Sequence, residues 1–315
     1  TFKPRTPHNH GANELGLEHS WSETMAPKKP TGTADLSLVV CTYGRTKQLS
    51  ELIDSIKHQS VPPKEIIIVD QNPPSFLDAL IKDSAGSLNI IHANVPFTGA
   101  SKARNYGASI ATGEIIAFPD DDCIYRKDTI KNVMSGFERK DELGVLIAGK
   151  DETLNAVHHD NGLRRNAVTE IHTVLDLFKA KAETSNIFAR KEYLSKLEYI
   201  FDNNIGPGER TKWASNEETD LLVRLLQRNI PIMKDENVRI IHHSSQGSLK
   251  KTLQYGMGRY ELIRRNNLGI YIYIINLLQP IARLILKPRL KNIPTCFMTI
   301  IGRSGLINKF TILWR

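Results

Sequence analysis

The stretch Gly113-Glu114-Ile115-Ile116-Ala117-Phe118-Pro119-Asp120-Asp121-Asp122 decides the fold of this chain. The apolar run Ile115 to Phe118 is short for a helix and bounded by turn signals, so it reads as a buried strand that ends in acid. In an extended chain residues i and i+2 face the same way, roughly 6.5 to 7 Å apart. Asp120 and Asp122 therefore address one site while Asp121 points elsewhere. Two unpaired carboxylates about 4 Å apart repel by about 4 kcal/mol at an effective dielectric near 20, and a divalent cation removes that penalty. Magnesium or manganese, shared between carboxylate and diphosphate oxygens, is the natural occupant. The competing account is a solvated turn or a helix cap, which the buried strand in front disfavours.

Working upstream, short apolar runs alternate with helical patterns. Leu36 to Cys41 reads as strand, Thr46 to Gln59 as helix, Glu65 to Asp70 as strand, Ser75 to Lys82 as helix, Leu88 to His92 as strand and Lys102 to Ala111 as helix. This alternation predicts an α/β fold around a mostly parallel sheet. Ligands in such sheets sit outside the carboxyl ends of the strands. Those ends are Thr42-Tyr43-Gly44-Arg45, Asp70-Gln71-Asn72 and the triple aspartate, so three polar clusters converge on one rim.

Downstream, Gly144 to Asn216 is less regular, and Asn203 to Gly208 is a strong loop signal. A helix is expected over Glu217 to Gln227, then a short buried strand Val238 to Ile241 that ends at His242-His243. Ile270 to Ile275 and Leu277 to Leu286 are apolar but interrupted by Asn276, Gln279, Pro280 and Arg283, which favours an interfacial helix over a spanning one. Residues 1–34, rich in Pro, Gly, His, Thr and Lys, read as a flexible lead-in. A catalytic unit is expected over 35–248, divided into a nucleotide half (35–123) and an acceptor half (124–248). A helical, basic C-terminal region follows over 249–315.

The net charge of +8 is unevenly spread. From Lys251 onward eleven Lys or Arg stand against the single acid Glu261, so the tail carries +10 and the first 250 residues −2. Cys41, Cys123 and Cys296 lack any metal or disulfide spacing, which fits a reducing compartment. No secretory leader is visible at the start. His8, His10 and His19 lack ligand spacing. No G-x-G-x-x-G follows the first strand, which disfavours a dinucleotide-dependent dehydrogenase, and there is no P-loop.

Four segments together resemble family 2 glycosyltransferases in order and spacing: Leu38 to Arg45, Glu65 to Asp70, Ala103-Arg104-Asn105-Tyr106-Gly107, and Gly113 to Asp122. The resemblance covers Leu36 to about His243. It implies the GT-A fold, a Rossmann-like sheet flanked by helices, and an inverting, metal-dependent transfer of a hexosyl or N-acetylhexosaminyl group from a nucleotide-diphosphate sugar, with a UDP-sugar favoured. It places Thr42, Tyr43, Arg45 and Asp70 at the nucleoside and Arg104 and Asn105 at the donor. Asp120, Asp121 and Asp122 fall in its D-x-D region, with Asp122 as the direct Mn2+ or Mg2+ ligand and Asp120 at the ribose or a metal-bound water. The family's Asp-Asp-Gly-Ser is replaced by Asp70-Gln71-Asn72-Pro73, so the base is not assigned.

By the same resemblance Asn216-Glu217-Glu218-Thr219-Asp220-Leu221 holds the general base, with Glu218 at its position and Asp220 as the alternative. A bland account competes, because Ser215-x-x-Glu218 is also a capping box. His242 or His243 stands where similar enzymes supply a further metal or phosphate contact, with His242 as the metal candidate, against an ordinary structural role for a strand-end imidazole. Trp213 is either a sugar platform or core packing. The expected partners are the nucleotide-sugar donor, a saccharide or lipid-linked acceptor of polysaccharide, cell-wall or glycolipid synthesis, and a membrane surface met by the basic tail, with Tyr271, Tyr273 and Trp314 at the interface. That places the protein in the cytoplasm at the inner face of the membrane; no nucleic acid is expected, and a homo-oligomer is compatible with the sequence. The rival readings are a nucleotidyltransferase on a similar fold, and a non-catalytic lipid- or nucleic-acid-binding protein that would leave the acidic rim unexplained.

Overall fold

The computed structural model describes residues 32–84, 86–152, 167–207, 211, 213–242, 248–286 and 288–307. Residues 1–31, with His8, His10 and His19, lie outside the described residues, as do His243 and Trp314. The elements run β1 (Ala34–Thr42), α1 (Lys47–Lys57), β2 (Pro63–Asp70), α2 (Asp78–Ser84), β3 (Ile90–Asn94), α3 (Ala100–Ile110), β4 (Ile115–Ala117), β5 (Cys123–Tyr125) and α4 (Thr129–Glu138). They continue with β6 (Val145–Asp151), β7 (Val168–Ile171), α5 (Val174–Ala180), β8 (Ile187–Arg190), α6 (Lys191–Leu194), α7 (Glu217–Leu226) and β9 (Ile232–His242). Three helices close the chain: α8 (Leu249–Arg265), α9 (Gly269–Leu286) and α10 (Ile293–Ser304).

Period-2 alternation along the strands builds two cores, one on each face of the sheet. Leu36, Leu38 and Val40 of β1, with Ile66 and Ile68 of β2, turn to the layer that holds Leu49, Leu52, Ile53 and Ile56 of α1. Val39, Ile67 and Val69 turn to the opposite layer, with Ala103 of α3 and Leu221, Leu222 and Leu225 of α7. The α1 residues recur at i, i+3, i+4 and i+7, one apolar stripe of a helix. Each such Leu or Ile contributes about 1.5 to 3 kcal/mol by leaving water. Gly107 is dictated by this packing, since a Cβ there would lie 2.3 Å from Val39 Cγ1. Without a side chain α3 lies flat on β1, which brings Arg104 toward the ends of the strands.

The sheet order is β3-β2-β1-β4-β8-β6-β9-β5, with β7 on β9. The first half is parallel throughout, as expected. The second half is mixed: β8 runs antiparallel to both neighbours, and β5 antiparallel to β9. The irregular middle of the sequence thus holds real elements, whose short strands carry too few residues to show a period. β9 also extends well before the expected Val238, because a register shift opposite Ala148 and Gly149 breaks its apolar pattern.

The two apolar runs of the tail form the single helix α9, with Pro280 inside it. Proline has no N–H to give to the carbonyl four residues back. The freed oxygen of Asn276 accepts instead from Arg303 Nη1 of α10 at 2.8 Å. Helices α8 and α10 cross at Gly256 and Gly302, where a Cβ on Gly302 would sit 2.5 Å from the Leu253 carbonyl. Helix α8 is tied to the sheet domain by Arg265 to Asp202 at 2.5 Å and by Gln227 Nε2 to the Asn266 carbonyl at 3.0 Å.

Candidate active site

The rim predicted from the strand ends is assembled. Thr42 Oγ1 donates to Asp121 Oδ2 at 2.8 Å, and Arg45 Nη1 reaches Asp121 at 2.7 Å and Asp122 at 2.6 Å. The β4 strand delivers the three aspartates, and an isolated bridge between Cys41 and Asp120 fixes them beside β1. Asp120 and Asp122 face one point, as the alternation requires, and Asp121 turns toward Thr42 and Arg45. Burial, opposed by the bonds from Thr42 and Arg45, raises the Asp121 pKa above the ordinary carboxylate value. Asp122 is lowered, first by the hydrogen bond with His242 and then by Arg45.

His242 comes from far along the chain. The antiparallel register sets it opposite Cys123, next to Asp122. Its Nε2 lies 3.2 Å from Asp122 and 3.8 Å from Asp120, while Nδ1 is held by Glu183 at 2.9 Å. Glu183 is fixed in turn by Lys150 at 2.5 Å. With Nδ1 on a carboxylate, Nε2 is the nitrogen left to meet a cation, the usual arrangement around a metal-bound histidine. Ligand atoms of Asp120, Asp122, Cys123 and His242 all lie within 4.8 Å of one another. Two carboxylates and an imidazole suit Mn2+ or Mg2+; the Cys123 thiol, raised well above its ordinary pKa by burial, does not join such a set. The residues present therefore fit a divalent ion.

Arg104 Nη2 pairs with Asp120 at 2.8 Å, and its Nη1 lies 3.2 Å from Glu217. That pairing fixes the start of α7 against the rim. Asn216 caps this helix in a left-handed conformation, φ 74°, without a side-chain capping bond, and the Ser215 hydroxyl accepts from Asn216 Nδ2 at 2.7 Å. The capping box Ser215-x-x-Glu218 is therefore not made. Glu218 lies on the cleft wall instead, accepting from Thr219 Oγ1 at 3.0 Å. Burial first, and the charge of Glu217 second, push its pKa up to about 8.

These groups line one cleft of about 1330 Å³, with Tyr43, Arg45, Arg104, Asp120, Asp121, Asp122, Glu218 and His242 on its walls. Five candidate residues stand outside its lining. Asn105 does not share the donor face with Arg104: it binds the Phe201 carbonyl at 2.7 Å and Asn203 at 3.2 Å, because successive helical side chains diverge by about 100°. Asp220 is likewise turned away from Glu218. Its two oxygens are taken by Arg224 at 2.8 Å and Asn266 at 2.9 Å, which makes it a tie between α7 and α8. Thr42 meets the rim through Asp121 at 2.8 Å and the Arg45 carbonyl at 3.4 Å. Buried Asp70 binds His92 at 3.0 Å and Asn72 at 2.7 Å, and Asn72 accepts the Gly44 N–H at 2.6 Å, so Asp70 shapes the Thr42–Arg45 turn from behind. The Trp213 carbonyl accepts from the Gly206 N–H at 2.8 Å, and its ring is not part of the cleft lining. Sequence reading missed Glu217, Glu183 and Lys150, which act through partners more than thirty residues away and leave no local signal.

A family model described as Glycosyl transferase family 2 matches residues 37–197, just over half of the chain. Glucosyl-dolichyl phosphate glucuronosyltransferase of Haloferax volcanii is 32% identical over 119 residues, covering 36% of this chain and 37% of that protein. The minor teichoic acid biosynthesis protein GgaB of Bacillus subtilis is 32% identical over 117 residues, 36% of this chain and 13% of its own. These alignments thus span well under half of either relative. Among solved structures, Staphylococcus aureus TarS 1-349 superposes with a TM-score of 0.59 at 16% identity, over 86% of this chain and 80% of that one. The Pyrobaculum calidifontis mannosyltransferase PcManGT, solved with GDP-Man and Mn2+, gives 0.57 at 13% identity, over 90% and 81%. By its matched sequence, its sheet and its strand-end aspartates, this chain belongs to glycosyl transferase family 2.

Proposed function

We propose that the protein transfers a hexosyl or N-acetylhexosaminyl group from a nucleoside-diphosphate sugar to an acceptor hydroxyl, with inversion, in the synthesis of a cell-wall, polysaccharide or glycolipid product. The observation that carries this reading is the convergence of Asp120, Asp122 and His242 on one point of a cleft that also holds Glu218. TarS has been solved with UDP-GlcNAc and PcManGT with GDP-Man, which supports a nucleotide sugar as donor without choosing the base. A Mn2+ or Mg2+ ion held by Asp120, Asp122 and His242 supplies Lewis-acid compensation for the charge of the leaving diphosphate.

The chain's own residues do the rest. Tyr43 and Arg45 border the nucleoside side of the cleft, and Arg104 holds Asp120 in place while its buried guanidinium faces the diphosphate. Glu218 takes the proton from the attacking hydroxyl. A carboxylate whose pKa has been pushed up to about 8 is a stronger base than a solvated one, and is well matched to proton transfer near neutral pH. The outer face of α9 exposes Ile270, Tyr271, Leu278, Ile285 and Leu286, and among the described residues this helix alone is long and apolar enough to cross a membrane. Together with the basic tail, that face supports contact with a membrane surface on the cytoplasmic side.

The test is to titrate UDP-, GDP- and dTDP-sugars with Mn2+ or with EDTA, following thermal stabilisation and donor hydrolysis. A ligand at a hundredfold excess over its dissociation constant adds about 2.7 kcal/mol. Metal-dependent stabilisation by one donor, abolished in Asp122→Ala, is expected. Silence from every donor in the metal-loaded protein would overturn the reading.

A further inference from the structure

Beyond Glu218 the cleft is walled by the three C-terminal helices, and each contributes one arginine: Arg259 from α8, Arg283 from α9 and Arg303 from α10. They contrast with the arginines of the donor rim, where Arg45 and Arg104 are each held by two carboxylates. Among the described residues, none of the three tail arginines has a carboxylate within ion-pair distance. Arg259 stacks on Phe178, 4.1 Å from the ring centroid, and its Nη1 is buried with no hydrogen-bond partner. Arg303 spends Nη1 on the Asn276 carbonyl and on Gln279 Oε1, and its Nε is also buried without a partner. Arg283 is exposed at the mouth. Burial and mutual repulsion draw Arg259 and Arg303 down to about 10, so both remain charged near neutral pH.

Three converging cations with unsatisfied donors form an arrangement that an anion would complete. Guanidinium forks match the oxygens of a phosphate, with short charged hydrogen bonds from several directions. The site is not the donor's diphosphate site, which lies by the strand-end aspartates. All three arginines lie outside the residues, 37–197, that the family model matches, on the C-terminal helices, with Phe178 the matched residue on which Arg259 stacks. Its place next to the candidate base is where the second substrate must enter.

We infer that Arg259, Arg283 and Arg303 bind a phosphate group carried by the acceptor, so that the sugar is transferred to a phosphorylated acceptor whose hydroxyl is presented to Glu218. This rests on the transferase reading above. The phosphate is borne either by a lipid, which the apolar outer face of α9 would accommodate, or by a soluble polyol chain.

The experiment measures binding to the full chain by calorimetry. In EDTA, where the donor site holds no metal, the probes are inorganic phosphate, octyl phosphate and glycerophosphoglycerol, with octyl glucoside as the uncharged counterpart. In Mn2+, the donor found above is titrated in parallel. Phosphate-bearing probes are expected to bind where octyl glucoside does not, with affinity lowered at least tenfold by Arg303→Met and by Arg283→Gln, and donor affinity retained in both variants. Arg283→Gln keeps the test valid if Arg303→Met loosens α10, because Arg283 is exposed and, among the described residues, has no protein hydrogen bond to lose. A preference for octyl phosphate identifies a lipid-borne phosphate, and one for glycerophosphoglycerol a polyol-borne phosphate. Binding no better than octyl glucoside, or binding abolished by Arg45→Ala and untouched by the tail variants, would overturn the inference while donor binding left the transferase reading intact. Loss of donor binding in the wild-type chain would instead strike the transferase reading.

Discussion

Replacing Glu218 by Gln separates a catalytic carboxylate from a helix-capping one, because only the raised carboxyl makes stability depend on pH. Glutamine can close a capping box as glutamate does, so a purely capping residue would show at most a small cost, the same at every pH. A carboxyl raised from 4.5 to about 8 behaves otherwise. The folded state then holds a proton that the unfolded state has released, so the stability linked to Glu218 is fully present below pH 4.5, declines as pH rises, and is gone above about pH 8. At about 1.4 kcal/mol per pKa unit the full span is about 5 kcal/mol, and partial exposure and screening reduce it to about 2 or 3 kcal/mol. Glu218→Gln has no such decline. Measured by thermal unfolding at pH 5 and at pH 9, the variant should gain on the wild type by on the order of 5 °C at the higher pH. Its turnover should fall at least a hundredfold, the usual share of a general base, and wild-type kcat/KM should rise with pH through about 8 as the base ionises. A variant that is uniformly less stable at both pH values and keeps its turnover would refute the base assignment and restore the capping account.

Asp220→Asn should act on the fold alone: breaking the buried pair with Arg224 costs about 3 to 5 kcal/mol, seen as a lowered melting temperature with donor affinity unchanged in protein that remains folded. Glu183→Gln should weaken Mn2+ binding about tenfold or more by calorimetry, since the partner that orients His242 is lost while the ligands themselves remain. Gly302→Val forces a side chain into the Leu253 carbonyl and should separate α10 from α8, lowering the melting temperature and increasing protease cleavage after residue 265 while Mn2+ binding at the strand ends persists.

The parallel half of the fold was legible because its strands are long, apolar and separated by helices of clear period, and because the polar strand ends fall on one rim. Arg45, Asp120, Asp122 and His242 stand at or just past the ends of buried strands, which is why the structure gathers them in the one cleft. Asn105 and Asp220 were misplaced by adjacency. A motif read along the chain treats neighbours as sharing a face, but on a helix residues one apart diverge by about 100° and residues two apart by about 200°. Arg104 and Glu218 therefore reach the cleft, while Asn105 latches the loop at Phe201 and Asp220 ties α7 to α8. Glu183 and Lys150 had no sequence signal at all, since Glu183 meets Lys150 33 residues before it and His242 59 residues beyond it.

The tail shows how a correct charge count can carry an incomplete structural expectation. An excess of ten positive charges after residue 250 reads most simply as a surface for an anionic membrane, because most long cationic side chains are solvated. Pro280 changes the outcome locally. By releasing the Asn276 carbonyl inside α9, it provides an acceptor that draws Arg303 inward from α10, and the glycine crossing at Gly256 and Gly302 brings that helix close enough for the bond to form. Arg303 is thereby held beside Arg259 on the cleft wall, where it feels the repulsion of Arg259 and Arg283, while Glu218 partly offsets the charge of Arg259. The exposed apolar face of α9 and the inward arginines are then two sides of one helical layer. On the proposals above, one side would meet a membrane surface and the other the phosphate of the acceptor beside Glu218.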